Sequence, residues 1–253
     1  MEEDLWHACS DGNVEEVIQL LQNEQININW QDPELSRTPL YRACGHSGNI
    51  EIVKLLLNDQ RLIINKVTNV GATPFFIACQ NGHIDIVKLL LNDSRVDINQ
   101  ALNDGLTPFY VACQEGQTEV VKLLLNDDRV DINQATNDDW TPLLIACYIG
   151  QTEVVKHLLE SGREIDINKT LTGDWTPFYV ACQKGHTEIV KLLLNDDRVD
   201  INKANNNGTT PFYIAYQEGN TEIINVLRNE SNLSFFLFLL SLLIISFLIN
   251  HRK

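Results

Sequence analysis

Thiols, imidazoles and carboxamides are the side chains of this sequence that could carry chemistry, and each type returns at a set spacing. Six cysteines, Cys9, Cys44, Cys79, Cys113, Cys147 and Cys182, offer nucleophilic, disulfide or metal chemistry. Every one follows an alanine, at intervals of 34 or 35 residues. A disulfide needs Cα atoms within about 7 Å, whereas stacked helices lie roughly 8–10 Å apart, so neighbouring copies do not easily bridge. No Cys-X-X-Cys or His-X-X-X-His spacing points to zinc. The pattern predicts small, buried, reduced thiols, which suits a reducing compartment. His83 and His186 each follow a glycine where equivalent segments carry Gln117 or Gln151. That placement favours a local turn role over a ligand role. Asn65, Asn99, Asn133, Asn168 and Asn202 also recur at one place, where an amide is expected to bond the backbone of the following segment. No Gly-rich phosphate loop, Gly-X-Ser-X-Gly or His-Glu-X-X-His occurs. The residues therefore predict no catalytic, cofactor or metal site, no small-molecule substrate, and no enzyme.

The elements that carry these residues follow from the spacing. A Thr-Pro segment opens at Thr38, Thr73, Thr107, Thr141, Thr176 and Thr210, and a degenerate copy without Thr-Pro runs through Leu5, Trp6, His7, Ala8 and Cys9. Seven copies at this period predict a stacked solenoid, in which each unit buries its apolar face against its neighbours. In the unit opening at Thr107, threonine supplies an N-cap and Pro108 the first helical position, where a missing N–H costs nothing. Phe109, Val111, Ala112 and Cys113 form the buried stripe of a short first helix, which ends at Gly116. A second helix is expected from about Gln117 to Leu125 and stops at Asn126-Asp127. Val130 to Asn133 alternate like an extended arm, and Asn137 to Trp140 close a turn.

Thr107-Pro108-Phe109-Tyr110-Val111-Ala112, then Gly116, Glu119-Val120-Val121-Lys122-Leu123-Leu124-Leu125 and Asp131-Ile132-Asn133 together resemble the ankyrin repeat. The resemblance implies an all-α helix-turn-helix solenoid with hairpin-like arms over residues 1–230, with units opening near 4, 38, 73, 107, 141, 176 and 210. Tyr110 and Tyr179 stand where the family has histidine, and one extra residue lies between Asn126 and Arg129. Asp139 and Asp174 replace the turn glycine supplied elsewhere by Gly71, Gly105 and Gly208.

Charge and hydropathy bound the partners. With 19 Lys plus Arg against 34 Asp plus Glu and no basic stripe, nucleic acid is not an expected partner. The loop aspartates (Asp127–Asp128, Asp138–Asp139, Asp196–Asp197) are read as solubility or as a preference for basic partners. No signal peptide precedes the first helix. Residues 233–249 carry no charge, and only Ser234, Ser241 and Ser246 interrupt Leu, Ile and Phe. As a helix they span about 26 Å, and insertion is worth about −4 to −8 kcal/mol before the serine penalty. They are expected to form a single transmembrane helix followed by a short basic tail, 250–253, of a tail-anchored protein with cytosolic repeats. Arg252 and Lys253 beyond the span are a weak opposing vote under the positive-inside rule.

The resemblance also implies partner contacts at the arm tips and on the exposed face of the first helices. Carried onto this sequence these are Asn103, Asp104, Leu106, Gln114 and Glu115, then Asp138, Trp140, Tyr148 and Ile149, then Trp175 and Lys184. Trp140, Tyr148, Ile149 and Trp175 bring bulky side chains where polar ones are expected, as in an interface hot spot. Packing of each tryptophan along the neighbouring arm is the alternative. The expected function is a protein-interaction scaffold tethered to a membrane, the alternative a soluble binding module whose apolar tail a partner masks.

Overall fold

The structure is a computed structural model, and it describes residues 1–229. Helices alternate along the chain as α1 (Glu2–Asp11), α2 (Val14–Leu21), α3 (Pro39–Arg42), α4 (Ile50–Leu57), α5 (Pro74–Asn81), α6 (Ile84–Leu91) and α7 (Pro108–Gln114). They continue as α8 (Thr118–Leu125), α9 (Pro142–Ile149), α10 (Thr152–Glu160), α11 (Pro177–Lys184), α12 (Thr187–Leu194), α13 (Pro211–Gln217) and a final helix, α14, over 221–229. First helices pack on the second helix of their own unit (α4 on the turn that follows α3) and on the first helix of the next unit, giving one helical stack. The expected transmembrane helix (233–249) and basic tail (250–253) lie outside the described residues. Among those described, no helix is long and apolar enough to cross a membrane.

The Thr-Pro signal acts as chemistry demands. The hydroxyls of Thr73, Thr107 and Thr176 accept from the backbone N–H of Phe76, Tyr110 and Tyr179 at 3.1, 3.0 and 3.1 Å, satisfying donors that the helix leaves free. Behind these caps Phe75, Phe109 and Phe178 are fully buried, and all six cysteines are free and buried. Burial pushes the Cys9 thiol up to about 12 and raises the others as well, so none is poised as a thiolate.

The arms differ from the extended reading. Residues 130–133 bend instead of forming a strand, with Val130 and Ile132 buried and Asp131 exposed. Among the described residues the one strand-like pairing is Leu171 with Trp175, at the tip of an arm. Asp139 and Asp174 do occupy the glycine's left-handed conformation, at φ of 65° and 62°.

Three ladders of polar side chains hold the units in register. Asn99 donates to the Arg129 carbonyl at 2.8 Å and accepts from the Asp131 N–H at 3.0 Å, so it ties two units together. Asn29, Asn65, Asn133 and Asn168 do the same one unit apart. The residues after the reversing glycines are the second ladder. His83, Gln117, Gln151 and His186 reach back to the carbonyls of Gly45, Gln80, Gln114 and Tyr148 at 2.8–3.2 Å, an inter-repeat bond in place of the local turn role. The third uses the extra residue of the period. Asp127 holds Arg129, whose Nη2 donates to the Leu91 carbonyl of the preceding unit at 2.8 Å, and Arg95 repeats this on Leu57. The Arg129 hydrogen bond keeps Asp127 below the usual carboxylate range. Asp127 and Asp196 are thus engaged within the chain, while Asp128 and Asp197 stay exposed.

One unit departs. Between Cys44 and Gly48 stand Gly45, His46 and Ser47, one residue more than Gln80-Asn81 between Cys79 and Gly82. The chain absorbs the insertion as a π-helical turn over Ala43–Ser47 that continues α3. A Cβ at Gly45 would come within 2.5 Å of Ile77, so glycine lets α5 approach there.

Candidate functional surface

Two positions in each unit carry the candidate contacts. The residue before the Thr-Pro cap ends the arm, and the residue after the cysteine lies on the first helix. In the unit opening at Thr141 these are Trp140 and Tyr148, whose rings meet edge to face at 5.1 Å and 83°. Lys184, from the next unit, sets its ammonium 4.3 Å from the centre of the Tyr148 ring. Ile149, 46% exposed, flanks them. The arm that carries Trp140 is fixed by Thr136, whose N–H donates to the Trp140 carbonyl at 3.0 Å while its hydroxyl accepts from the Trp140 N–H.

The four bulky residues do not form one aromatic cluster. Trp175 stacks on Tyr179 of its own unit, centroids 6.1 Å apart at 13°. Trp140, Tyr148 and Trp175 are half-buried and pack against the core, so of the four only Ile149 is widely exposed. Each tryptophan pairs with an aromatic ring of its own unit, and neither is fully buried.

Asn103, Asp104 and Asp138 at the arm tips are exposed, and the tips also bond one another. Asn103 donates its amide to the Asn69 carbonyl at 3.0 Å and its backbone N–H to the Val70 carbonyl at 2.9 Å. Asn137 repeats this on Asn103 and Asp104, so the tips are zipped to each other. Leu106 is half-buried against the core, and Asp104 accepts from its N–H at 3.3 Å. Gln114 turns to Glu115 at 3.3 Å and is half-buried, whereas Glu115, Asp138 and Lys184 are exposed. Among the described residues no group of His, Cys, Asp or Glu is placed to hold a metal ion.

The same positions near the N-terminus carry different chemistry, which the sequence reading missed. Arg37 stands at the Trp140 position, and Arg42 at the place filled by Ile77, Val111, Ile145, Val180 and Ile214. Their guanidinium carbons lie 5.2 and 4.6 Å from the centre of the Trp6 ring. Asp32 accepts from Arg37 Nε at 3.0 Å and from the backbone N–H of Leu35 and Arg37 at 3.0 and 2.7 Å. Burial pushes the Asp32 carboxyl up, but these donors outweigh it and hold it at about 2. A depressed carboxyl stabilises the fold fully above its unfolded value, near ~4, and the contribution disappears as pH falls through the folded value. Asp32→Asn should therefore cost about 1–3 kcal/mol at neutral pH and nothing below about pH 2, read by urea titration across pH. An equal loss at both pH values contradicts this assignment.

A family model described as ankyrin repeats matches the chain in three copies, over residues 5–101, 94–170 and 148–235. No curated protein matches the chain significantly. The matched segments run almost end to end over the helix-turn-helix stack, so the chain belongs to the ankyrin repeat family, whose repeats are protein-interaction modules.

Proposed function

We propose that this chain is a protein-binding scaffold whose partner seats on the first-helix face around Trp140, Tyr148 and Lys184, and that residues 233–249 hold it at a membrane with the stack in the cytosol. The observation that carries the binding reading is the Trp140–Tyr148–Lys184 cluster. There an edge-to-face aromatic pair and a cation meet beside an exposed Ile149, where the neighbouring units place Gln114 and Gln183 at the Tyr148 position. Half-buried aromatic anchors lose little entropy on binding, which is why Trp and Tyr dominate interface energetics. Exposed Asn103, Asp104 and Glu115 belong to the preceding unit, and Trp175 to the following one. The membrane reading is supported by the charge-free apolar run itself.

Trp140→Ala and Tyr148→Ala should each weaken partner binding by more than ~2 kcal/mol, about thirtyfold in Kd, without loss of helix content. Titration calorimetry against the purified partner reads this. Unchanged affinity in both variants would place the contact elsewhere on the stack.

A further inference from the structure

At the N-terminal end of the same face lies a second feature, distinct from the aromatic cluster. A cavity of about 220 Å³ opens between the first helices of two adjacent units. Leu35, Tyr41 and Ile77 give it apolar walls, and Arg37, Arg42 and His46 rim it with nitrogen donors. This is a cationic site on a chain that carries 34 acidic residues.

Arg42 is the unusual group. It occupies a position that is aliphatic in the five following units, and it is half-buried. Its Nε and Nη2 both turn to the Ser10 hydroxyl, at 3.1 and 2.5 Å, leaving its remaining donors for something else. Among the described residues no carboxylate forms an ion pair with it. Burial and then the Arg37 charge push Arg42 below the ordinary arginine value, and the charges of Asp32 and Asp11 oppose this only in part. Arg37, by contrast, is neutralised by Asp32. The π-helical turn belongs to this site, because its Gly45 and His46 line the cavity and Gly45 sets no side chain against Ile77.

The cavity is smaller than the roughly 300–1,000 Å³ of small-molecule pockets, so it fits one or two side chains rather than a metabolite. One guanidinium without an ion-pair partner matches a single carboxylate in charge and in fork geometry. We propose that this cleft captures a carboxylate of a partner polypeptide, flanked by an apolar residue that fills the Leu35–Tyr41–Ile77 walls, with Arg42 as its bidentate donor. The carboxylate can come from an Asp or Glu side chain or from a chain terminus.

The test uses the full-length chain in detergent micelles, labelled with ¹⁵N-arginine, and follows the Arg42 Nε–H resonance. The probes are acetyl-Leu-Glu-Leu-amide, its Gln analogue, acetyl-Leu-Gln-Leu with a free carboxylate, and acetyl-Leu-phosphoserine-Leu-amide. At least one of the two carboxylate peptides should shift Arg42 saturably, about tenfold more tightly than the Gln amide, and the tighter of the two names the source. Arg42→Ile, which installs the residue of the neighbouring unit, should abolish the difference between Glu and Gln peptides in Trp6 indole shifts. Equal binding of the Glu, free-carboxylate and Gln peptides would overturn the proposal without recourse to any variant. So would phosphoserine binding tenfold tighter than either carboxylate. Because the readout is local to Arg42 and Trp6, it is independent of whether a partner seats on Trp140 and Tyr148.

Discussion

Phe109→Ala should lower the stability of the stack by about 3–5 kcal/mol. Phe109 is 1% exposed in α7, and α7 packs on both α5 and α9, so its ring supports interfaces on either side. In a linear array no distant contact compensates for a lost interface, and a defect in the middle weakens the coupling between the two halves. The expected result in urea is a lower midpoint with the first and last units melting at different concentrations, followed by circular dichroism and amide exchange. Phe212, at the equivalent position of α13, is 38% exposed, and Phe212→Ala should cost far less. Similar losses for both substitutions would mean that burial between units is not what stabilises this fold.

Removing residues 233–253 should release the protein from membranes that resist carbonate extraction, while the far-ultraviolet spectrum of the stack stays helical. An insertion energy of about −4 to −8 kcal/mol before the serine penalty corresponds to several hundredfold or more in partitioning, so the change is close to all or none. Asn229 ends the described residues, and the few residues before the apolar run reach at most about 14 Å. Bound this way, α14 and the exposed Phe212, Tyr213 and Tyr216 would sit near the headgroups. Retention of the truncated chain on membranes would mean that the repeats themselves bind there. Release of the full-length chain by carbonate would favour an apolar tail masked by a partner.

Local signals were the legible ones. Thr-Pro specified caps and first turns, glycine after the cysteine specified reversals, and the cysteines' shared position predicted their burial, because each depends only on residues a few places away. The polar ladders were harder to see. Within one unit His83 looks like a local turn former and Asn99 like an amide that bonds the arm, and their partners at Gly45 and Arg129 become visible only once neighbouring units are set in register. Asp127 likewise reads as a surface charge until Arg129 closes on it. The cationic cleft was hidden for a related reason. Arg37 and Arg42 are ordinary as residues, and their meaning lies in standing where other units place Trp and Ile. The one-residue excess at Gly45–Ser47 could have been found by aligning the units against each other.

For the aromatic surface, the burial of Trp140 and Tyr148 was ambiguous because an edge-to-face pair both packs the unit and leaves a face open. The most direct measurement is site-specific photocrosslinking in cells, with a photoreactive amino acid at Tyr148 or, on the exposed side of α8, at Glu119. The account predicts a discrete protein adduct from position 148 that Trp140→Ala removes, and none from position 119. Adducts that form mainly from position 119, or that persist from 148 without Trp140, would contradict it.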